Sequence, residues 1–461
     1  MSQSSNFDRQ AVLYPDAPAN SLAAKAPDVD NGKGTINPDR YYRRDIWQNE
    51  WDRIWTRTWH VAGPVGDLKE PGDFFTYDFM HEHFLIVLQE DRGIKAFYNV
   101  CPHRGNRLVY PEQGSHRAFS CIYHGWKFAL DGKRLSIKDA PSFEGYDTSS
   151  SACLSGLRCE VHAGLVWINM DENARPVKEA LGLPDGFLEM YQIGDMITVS
   201  RQVQEGSGNW KLALENIIEG YHFDVVHPQL PHLVNELAIQ YDLHNHGAST
   251  WFVPIGEPSS RLQQETINET LKGFLKNAGI EPATFTGSVR DVRPAVQKVK
   301  RAYAVAAGFD VSDYIDGQFT DTWAASIFPA TQIALHFEAV MIAQLIPHET
   351  DPERYYMAAT VLYRPGSTSG SDLPPYMGEP GVNLAPEARP ATKYYRIEDG
   401  YHMGPVVNQD VDLIAKTLIG VKSRGYKAPV WGEQEQRVRH FHKEYDRYME
   451  GALGQQPNGT T

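Results

Sequence analysis

The sequence predicts an α+β protein in which a small all-β domain precedes a larger domain of helices packed on an antiparallel sheet. Three observations carry this. Residues 61–168 read as short strands separated by turns. Four further strand patterns follow one another between Thr322 and Tyr363, with only short turns between them. Apolar residues recur at helical spacing over 262–307, 408–421 and 433–449. Consecutive strands joined by short turns pair antiparallel, and flanking helices cover the sheet they form.

In chain order, residues 1–35 are polar and rich in Asp, Asn, Ala and Pro, and are expected to wrap the surface as an arm. Asn37-Pro-Asp opens a helical pattern in which Tyr42, Ile46, Trp51, Ile54 and Trp55 recur every three to four residues, with Pro in the first turn. This helix is expected to end near Trp59. Phe84–Gln89 and Ile94–Val100 flank Glu-Asp-Arg-Gly, a hairpin signal. Lys127–Lys133 gives another turn, and Gly164–Asn169 reads as a buried strand. Beyond Pro176, Ile197–Gln204 is strand-like and Trp210–His222 helical. Leu262–Ala307 is mostly helical, with interruptions expected at Gly279-Ile-Glu-Pro and at Arg293-Pro. Strands return at Thr322–Phe328, Gln332–Phe337, Ala339–Ile346 and Arg354–Tyr363. Residues 364–393 hold six prolines and are read as either a functional lid or a mobile surface loop. Helices at Asn408–Val421 and Glu433–Met449 follow, and the tail 451–461 is expected to be disordered. No internal repeat is found. The domain limits read 1–44 for the arm and the start of the first helix, 45–170 for the β-domain and 171–461 for the larger domain.

A chain of 461 residues can build two or three domains, each with its own core. A formal charge of −14 argues against wrapping nucleic acid or an anionic membrane. No apolar run approaches the roughly 20 residues that span a bilayer. Met-Ser-Gln-Ser-Ser-Asn-Phe-Asp has neither a basic n-region nor an apolar h-region, so a cytoplasmic location is expected. Four cysteines do not make a disulfide framework, and a reducing compartment suits them. Cys159, in the alternating Leu157-Arg-Cys-Glu-Val, is expected as a small core residue, and Cys153 in a Ser-rich loop.

The other two cysteines lie in Cys101-Pro-His-Arg-Gly-Asn and Cys121-Ile-Tyr-His-Gly-Trp, giving C-x-H, seventeen residues, then C-x2-H. Zinc fingers tend to pair Cys with Cys and His with His, whereas here each loop brings one of each. That suits a [2Fe–2S] cluster in which Cys101 and Cys121 hold one iron and His103 and His124 the other. Two neutral imidazoles in place of thiolates raise such a cluster's potential.

These loops resemble the Rieske motif, C-P-H-R-G then C-x-Y-H-G-W, of the Rieske non-haem iron ring-hydroxylating oxygenases. The resemblance covers about residues 40–450 and is to the alpha, catalytic subunit. It implies a small Rieske domain before a helix-grip, START-like catalytic domain. Tyr123 and Trp126 are expected to cover the cluster, and Arg104 to bridge to a neighbouring acid.

The second informative stretch runs from Asn209-Trp-Lys to His227-Pro. His222 and His227 are five residues apart, about 140° around a helix, so an unbroken helix would not aim both at one ion. Pro228 pushes the residue before it out of the helical region, which lets the helix end at His227 and the ring swing back. The spacing is not that of H-E-x-x-H zinc proteases. In order and spacing, Asn-Trp-Lys, Glu-Asn, Tyr-His and the second His resemble the mononuclear iron motif of the same family, which implies a 2-His-1-carboxylate Fe(II) site with positions open to O2. In the family the carboxylate lies on a C-terminal helix, and Val406–Val421 resembles that segment. Asp410 and Asp412 compete for the role. Asp410 shares a helical face with Leu413, Ile414, Thr417 and Val421, while Asp412 shares one with Lys416, so Asp410 is the expected ligand.

Glu219 departs from the family pattern. Many members carry Asp there, hydrogen-bonding a cluster His of one subunit and an iron-ligand His of the next, and the resemblance implies a similar bridge. Three residues before His222 on a helix, Glu219 would share its face, and a carboxylate there also fixes the ring's tautomer. Asn216 and Tyr221 are expected to line the path or the iron pocket. His81, His83, His244, His246, His402, His440 and His442 have no Cys or acid at ligand spacing and read as ordinary surface or core residues.

The resemblance implies an oxygenase in which the cluster relays electrons to Fe(II), which uses O2 to mono- or cis-dihydroxylate a small aromatic substrate. It implies a separate NAD(P)H-dependent reductase, with or without a ferredoxin. It also implies a trimer, as a homotrimer or α3β3 with a small β subunit, with electrons crossing between subunits through Glu219. No G-x-G-x-x-G signal appears, in keeping with an outside electron source. Trp251, Phe252, the 260–310 helices and the Thr322–Phe337 strands are expected to line a pocket for an aromatic ring. Aromatic side chains also cage quaternary ammonium groups, so demethylation or hydroxylation of a betaine-like methylated amine is the second reading. A Rieske electron carrier is the third, and it would have no use for His222, His227 and Asp410.

Overall fold

A computed structural model describes residues 11–146, 152–367, 373–374, 376–377, 381–385, 387 and 389–451. The expected disorder of the tail falls on residues outside this set, from 452 on. The chain forms two compact units: one of residues Trp55–Ala180 with Gln192–Asp195, the other of the chain up to Ile54, Leu181–Tyr191 and everything from Met196.

In the larger unit the arm is more than a surface wrap. Tyr14 Oη donates to Asp321 Oδ2 at 2.7 Å and accepts from Trp323 Nε1 at 3.0 Å. Asn37 caps the first helical turn, accepting from Asp39 N at 2.9 Å, with Pro38 at the position that needs no N–H. The single helix expected to reach Trp59 is instead three pieces: a 3-10 turn Pro38–Tyr41, α1 (Arg44–Glu50) and a π turn Trp51–Trp55. Glu50, fully buried at the end of α1, takes donors from Lys211, Trp210 and Tyr445, so its charge is satisfied where it lies.

The smaller unit has strands β1 (His60–Pro64), β2 (Asp73–Phe79), β3 (Glu82–Leu88), β4 (Ile94–Tyr98), β5 (Gln113–Ser115), β6 (Phe119–Ser120), β7 (Lys127–Phe128), β8 (Arg134–Ser136), β9 (Gly156–His162) and β10 (Leu165–Asn169), followed by a short α2 (Val177–Ala180). They form a seven-stranded sheet, β1-β10-β9-β4-β3-β2-β5, and a three-stranded one, β6-β7-β8. β3 and β4 are the expected hairpin, with Leu85 opposite Phe97. Phe74, Leu85, Val87, Phe97, Phe119 and Phe128 form a core that also holds Cys101 and Cys121. Cys159 is a correction: β9 has no fully buried position, and this residue is half-buried rather than part of a core.

The larger unit is built on β11 (Ile197–Ser207), β12 (Gln240–Leu243), β13 (Ser249–Val253), β14 (Thr322–Ile327), β15 (Thr331–Leu335), β16 (Ala339–Pro347), β17 (Arg354–Tyr363) and β18 (Lys393–Tyr395), in the order β12-β13-β14-β15-β16-β17-β11-β18. The four expected consecutive strands are its antiparallel centre. β12, β13 and β18 were not expected. β12 is buried on both faces and carries no alternation, and β18 is a three-residue edge. The helices are α3 (Trp210–Ile217), α4 (Phe223–Val226), α5 (Glu269–Asn277), α6 (Val292–Ala306), α7 (Pro405–Val421) and α8 (Gln436–Met449). Helix α5 ends in a left-handed Gly279, as expected, with Ile280 N reaching back to Leu275 O. Arg293-Pro294 does not interrupt a helix. It lies in the first turn of α6, where the missing N–H breaks no bond.

Register across six strands aligns Tyr241, Trp251, Ala324, Ala334, Met341 and Val361 on one face. This face meets α8, from which Arg437 donates to Ser249 and Ser326 and stacks 4.8 Å over Trp251. Phe252, the neighbour of Trp251, must point to the opposite face. There it packs on Tyr14, Phe187 and Trp323, so it cannot line a pocket with Trp251. Of the 364–393 stretch, Leu373, Tyr376, Met377, Val382 and Leu384 pack against Val199, Ala339, Val361 and Tyr363.

Candidate metal centres

The two Cys/His loops of the smaller unit share one conformation. In each, the Cys N–H donates to the carbonyl five residues on, Asn106 at 2.8 Å or Trp126 at 2.9 Å. In each, the Cys carbonyl accepts from the glycine four residues on, at 3.0 and 2.9 Å. Gly105 and Gly125 both have φ +72°, a left-handed conformation that a side chain would strain. The loops bring His103 Nδ1 within 3.1 Å of His124 Nδ1. Trp126 is buried and stacks on His103 at 4.7 Å, and Tyr123, half-exposed, lies 3.7 Å from the His124 ring. Arg104 stacks over Tyr123 at 5.3 Å and pairs with no acid among the described residues, contrary to expectation. Burial pushes the Cys101 thiol up to about 11, opposed by the N–H groups of His103 and Arg104 that point at its sulfur. Two buried sulfurs and two adjacent ring nitrogens are the donor set of a mixed-ligand [2Fe–2S] cluster, whose binding would displace the thiol protons.

In the larger unit, the helix expected to run to His222 stops at Ile217. Glu219 Oε2 accepts from the N–H groups of Tyr221 and His222, and Gly220 N donates to Tyr241 Oη at 3.1 Å, so these donors leave the helical ladder. His222 then caps the start of α4. His227 closes it at φ −117°, ψ 77°, outside the helical region as the following proline requires. Asp410 arrives on α7. One ligand atom from each of His222, His227 and Asp410 lies within 4.8 Å of the others, the only such group of three among the described residues. Asp410 Oδ1 is 3.0 Å from His227 Nε2 and 3.6 Å from His222 Nε2. All three atoms are buried and lack a hydrogen-bond partner. Three orphaned donors converging on one point fit a divalent ion, and two imidazoles with one carboxylate are the set used by non-haem iron.

The far ring nitrogens are held. Glu219 Oε1 contacts His222 Nδ1 within the same chain, reached from a bend rather than along a helix face. Gln409 Oε1 lies 2.7 Å from His227 Nδ1. Asp412, 58% exposed against 14% for Asp410, pairs with Lys416. The buried stripe of α7 is Val411, Ile414, Leu418 and Val421, with Asp410 at its flank and Thr417 in solvent. Asn216 lies in the last turn of α3 with Oδ1 buried and unpartnered, and it is not part of the converging group. Tyr221 is 60% exposed. His244, His440 and His442 are structural: burial lowers the proton affinity of each, and His440 and His442 bond to the His244 carbonyl and Glu215. Gln409, Gln229 and Tyr241 were missed from the sequence. Only the adjacency of Gln409 to Asp410 could have signalled one of them.

A family model described as the ring hydroxylating alpha subunit (catalytic domain) matches residues 194–451, and a Rieske [2Fe-2S] domain model matches 58–147. The carnitine monooxygenase oxygenase subunit of Acinetobacter baumannii is 30% identical over 240 residues, 51% of this chain and 64% of that one. The benzene 1,2-dioxygenase subunit alpha of Pseudomonas putida is 32% identical over 199 residues, 42% of this chain and 44% of that one. The matched segments thus span less than two thirds of these curated relatives. Among solved structures, a quaternary ammonium Rieske monooxygenase in complex with L-carnitine aligns with TM-score 0.63 at 20% identity, covering 91% of this chain and 97% of that one. Naphthalene 1,2-dioxygenase with indole bound aligns with TM-score 0.63 at 18% identity, covering 91% and 93%. At these identities the structures establish the fold alone. No helix among the described residues is long and apolar enough to cross a membrane.

Proposed function

We propose that this chain, which belongs to the ring hydroxylating alpha subunit family, is the oxygenase component of a system that hydroxylates a small aromatic substrate with O2. The observation that carries this is the convergence of His222 Nε2, His227 Nε2 and Asp410 Oδ1, buried and unpartnered, in a chain that also holds the paired Cys/His loops. When bound, iron would supply dioxygen activation at the first centre and one-electron transfer at the second. Cys101, His103, Cys121 and His124 would hold the cluster, and His222, His227 and Asp410 the mononuclear iron. Glu219 keeps the His222 ring oriented and, in an assembly of three copies with or without a small β subunit, is the group through which electrons reach it. The source is a separate NAD(P)H reductase, with or without a ferredoxin. Four free cysteines suit a cytoplasmic setting.

For the substrate, the face of the sheet that meets α8 is the informative surface. None of the side chains of β11–β17 on that face is Asp, Glu, Lys or Arg. The Arg437 guanidinium, which reaches it, is taken by Ser249, Ser326 and the Ile218 carbonyl, and it occupies a face of Trp251. Phe223, beside His222, packs 6.1 Å from Trp251. These walls favour an uncharged ring over a zwitterion, whose carboxylate needs an unpaired cation. The likeness to carnitine monooxygenase subunits keeps a second reading, oxidation of a methylated amine. Product analysis under ¹⁸O2 with a reductase and a panel of aromatics and methylated amines decides between them. One or two labelled oxygens on an aromatic product support the first reading, and release of aldehyde from an amine supports the second.

A further inference from the structure

His222 and His227 turn Nε2 toward the same point, but unlike groups hold their Nδ1 atoms. For His222 the partner is the carboxylate of Glu219, which can only accept. For His227 it is the carboxamide of Gln409, at 2.7 Å, which can present either an oxygen or an NH2. Only the oxygen is compatible with ligation. If the NH2 faced Nδ1, the ring proton would sit on Nε2, 3.0 Å from Asp410 Oδ1, and no lone pair would remain for a metal. The orientation of one neutral amide therefore decides whether His227 offers a metal a lone pair or a proton. Gln229 supports that orientation, because its Nε2 donates to the same Gln409 Oε1 at 3.0 Å. A flipped Gln409 would set two NH2 groups against each other unless Gln229 turned with it.

The connectivity reinforces this. Gln409 precedes Asp410 on α7, so one helix brings both a ligand and the group that orients another ligand. Gln229 follows His227 across Pro228, so the His227 segment carries its own lock. We infer that Gln409 is the positioning residue that selects the Nδ1–H tautomer of His227, with Gln229 holding its amide in register. This rests on reading His222, His227 and Asp410 as a metal site.

The test uses full-length protein with the cluster loaded and the mononuclear site stripped. Co(II) is titrated in and followed by its visible bands, and the cluster's spin-resonance signal reports that each variant is folded. Gln409→Leu should weaken Co(II) binding by about 10–100-fold, the range for loss of an orienting partner. Gln409→Glu, which keeps an acceptor, should bind at least as tightly as wild type, and Gln229→Leu should fall between. Wild-type affinity in Gln409→Leu, or equal losses in the Leu and Glu variants, overturns the inference while leaving the metal site intact. Failure of the wild-type chain to bind Co(II) at all, with His222→Ala indistinguishable from it, overturns the metal reading and this inference together.

Discussion

Asp410 Oδ1 lies 3.0 Å from His227 Nε2, whereas Asp412, two residues along the same helix, points to solvent and pairs with Lys416. The two carboxylates therefore predict opposite outcomes. Asp410→Ala should lose the mononuclear iron and keep the cluster, while Asp412→Ala should keep both, because exposed i,i+4 pairs contribute little. Iron analysis of the two purified variants checks this.

The buried Glu50–Lys211 pair predicts a large stability effect. Burial lowers the proton affinity of Lys211 and Glu50 offsets part of that, and removing either partner leaves the other charge uncompensated. Lys211→Met should cost about 3–5 kcal/mol in urea unfolding. A loss below about 1 kcal/mol would mean that the pair is not buried as described.

Acid should destabilise the fold through histidines held neutral. Burial lowers His60, His244 and His336 to about 4. Between about pH 6.5, where the same rings titrate in the unfolded chain, and about pH 4, the unfolded state binds protons that the native state does not. Stability is therefore full above that window and falls as pH drops through it, by about 1.4 kcal/mol per pH unit for each such group. Urea midpoints at pH 7 and pH 5 should show a smaller difference in His336→Gln than in wild type, and equal differences would contradict the assignment.

Much of this was legible in the sequence because the chemistry is local. Cys101 and His103 sit in one short loop, Cys121 and His124 in another, and the Gly of each is dictated by a left-handed turn. His227 was readable because Pro228 ends its helix. What was not legible depended on distant partners. The break before His222 comes from Glu219 and Tyr241 capturing backbone N–H groups, a competition that periodicity cannot reveal. The spacing of Thr417 from Asp410 puts it on the inward face, yet α7 packs through Val411 and Leu418 instead. Phe252 adjoins Trp251 in sequence, but strand alternation sends the two to opposite faces.

Glu219 contacts His222 of its own chain and should be separable from metal loading. Glu219→Gln should retain the cluster signal and the mononuclear iron yet lose turnover driven by NAD(P)H and reductase. Normal coupled turnover would remove Glu219 from the electron path.

The most direct test of two kinds of iron in one chain is metal analysis with spin resonance on wild type and His222→Ala, alongside oxidation of an accepted substrate. Both proteins should show a mixed thiolate–imidazole cluster signal. Wild type should carry three irons per chain and the variant two, with oxidation abolished in the variant. A wild-type chain without the mixed-ligand signal, or a His222→Ala variant that still oxidises substrate at the wild-type rate, would contradict it.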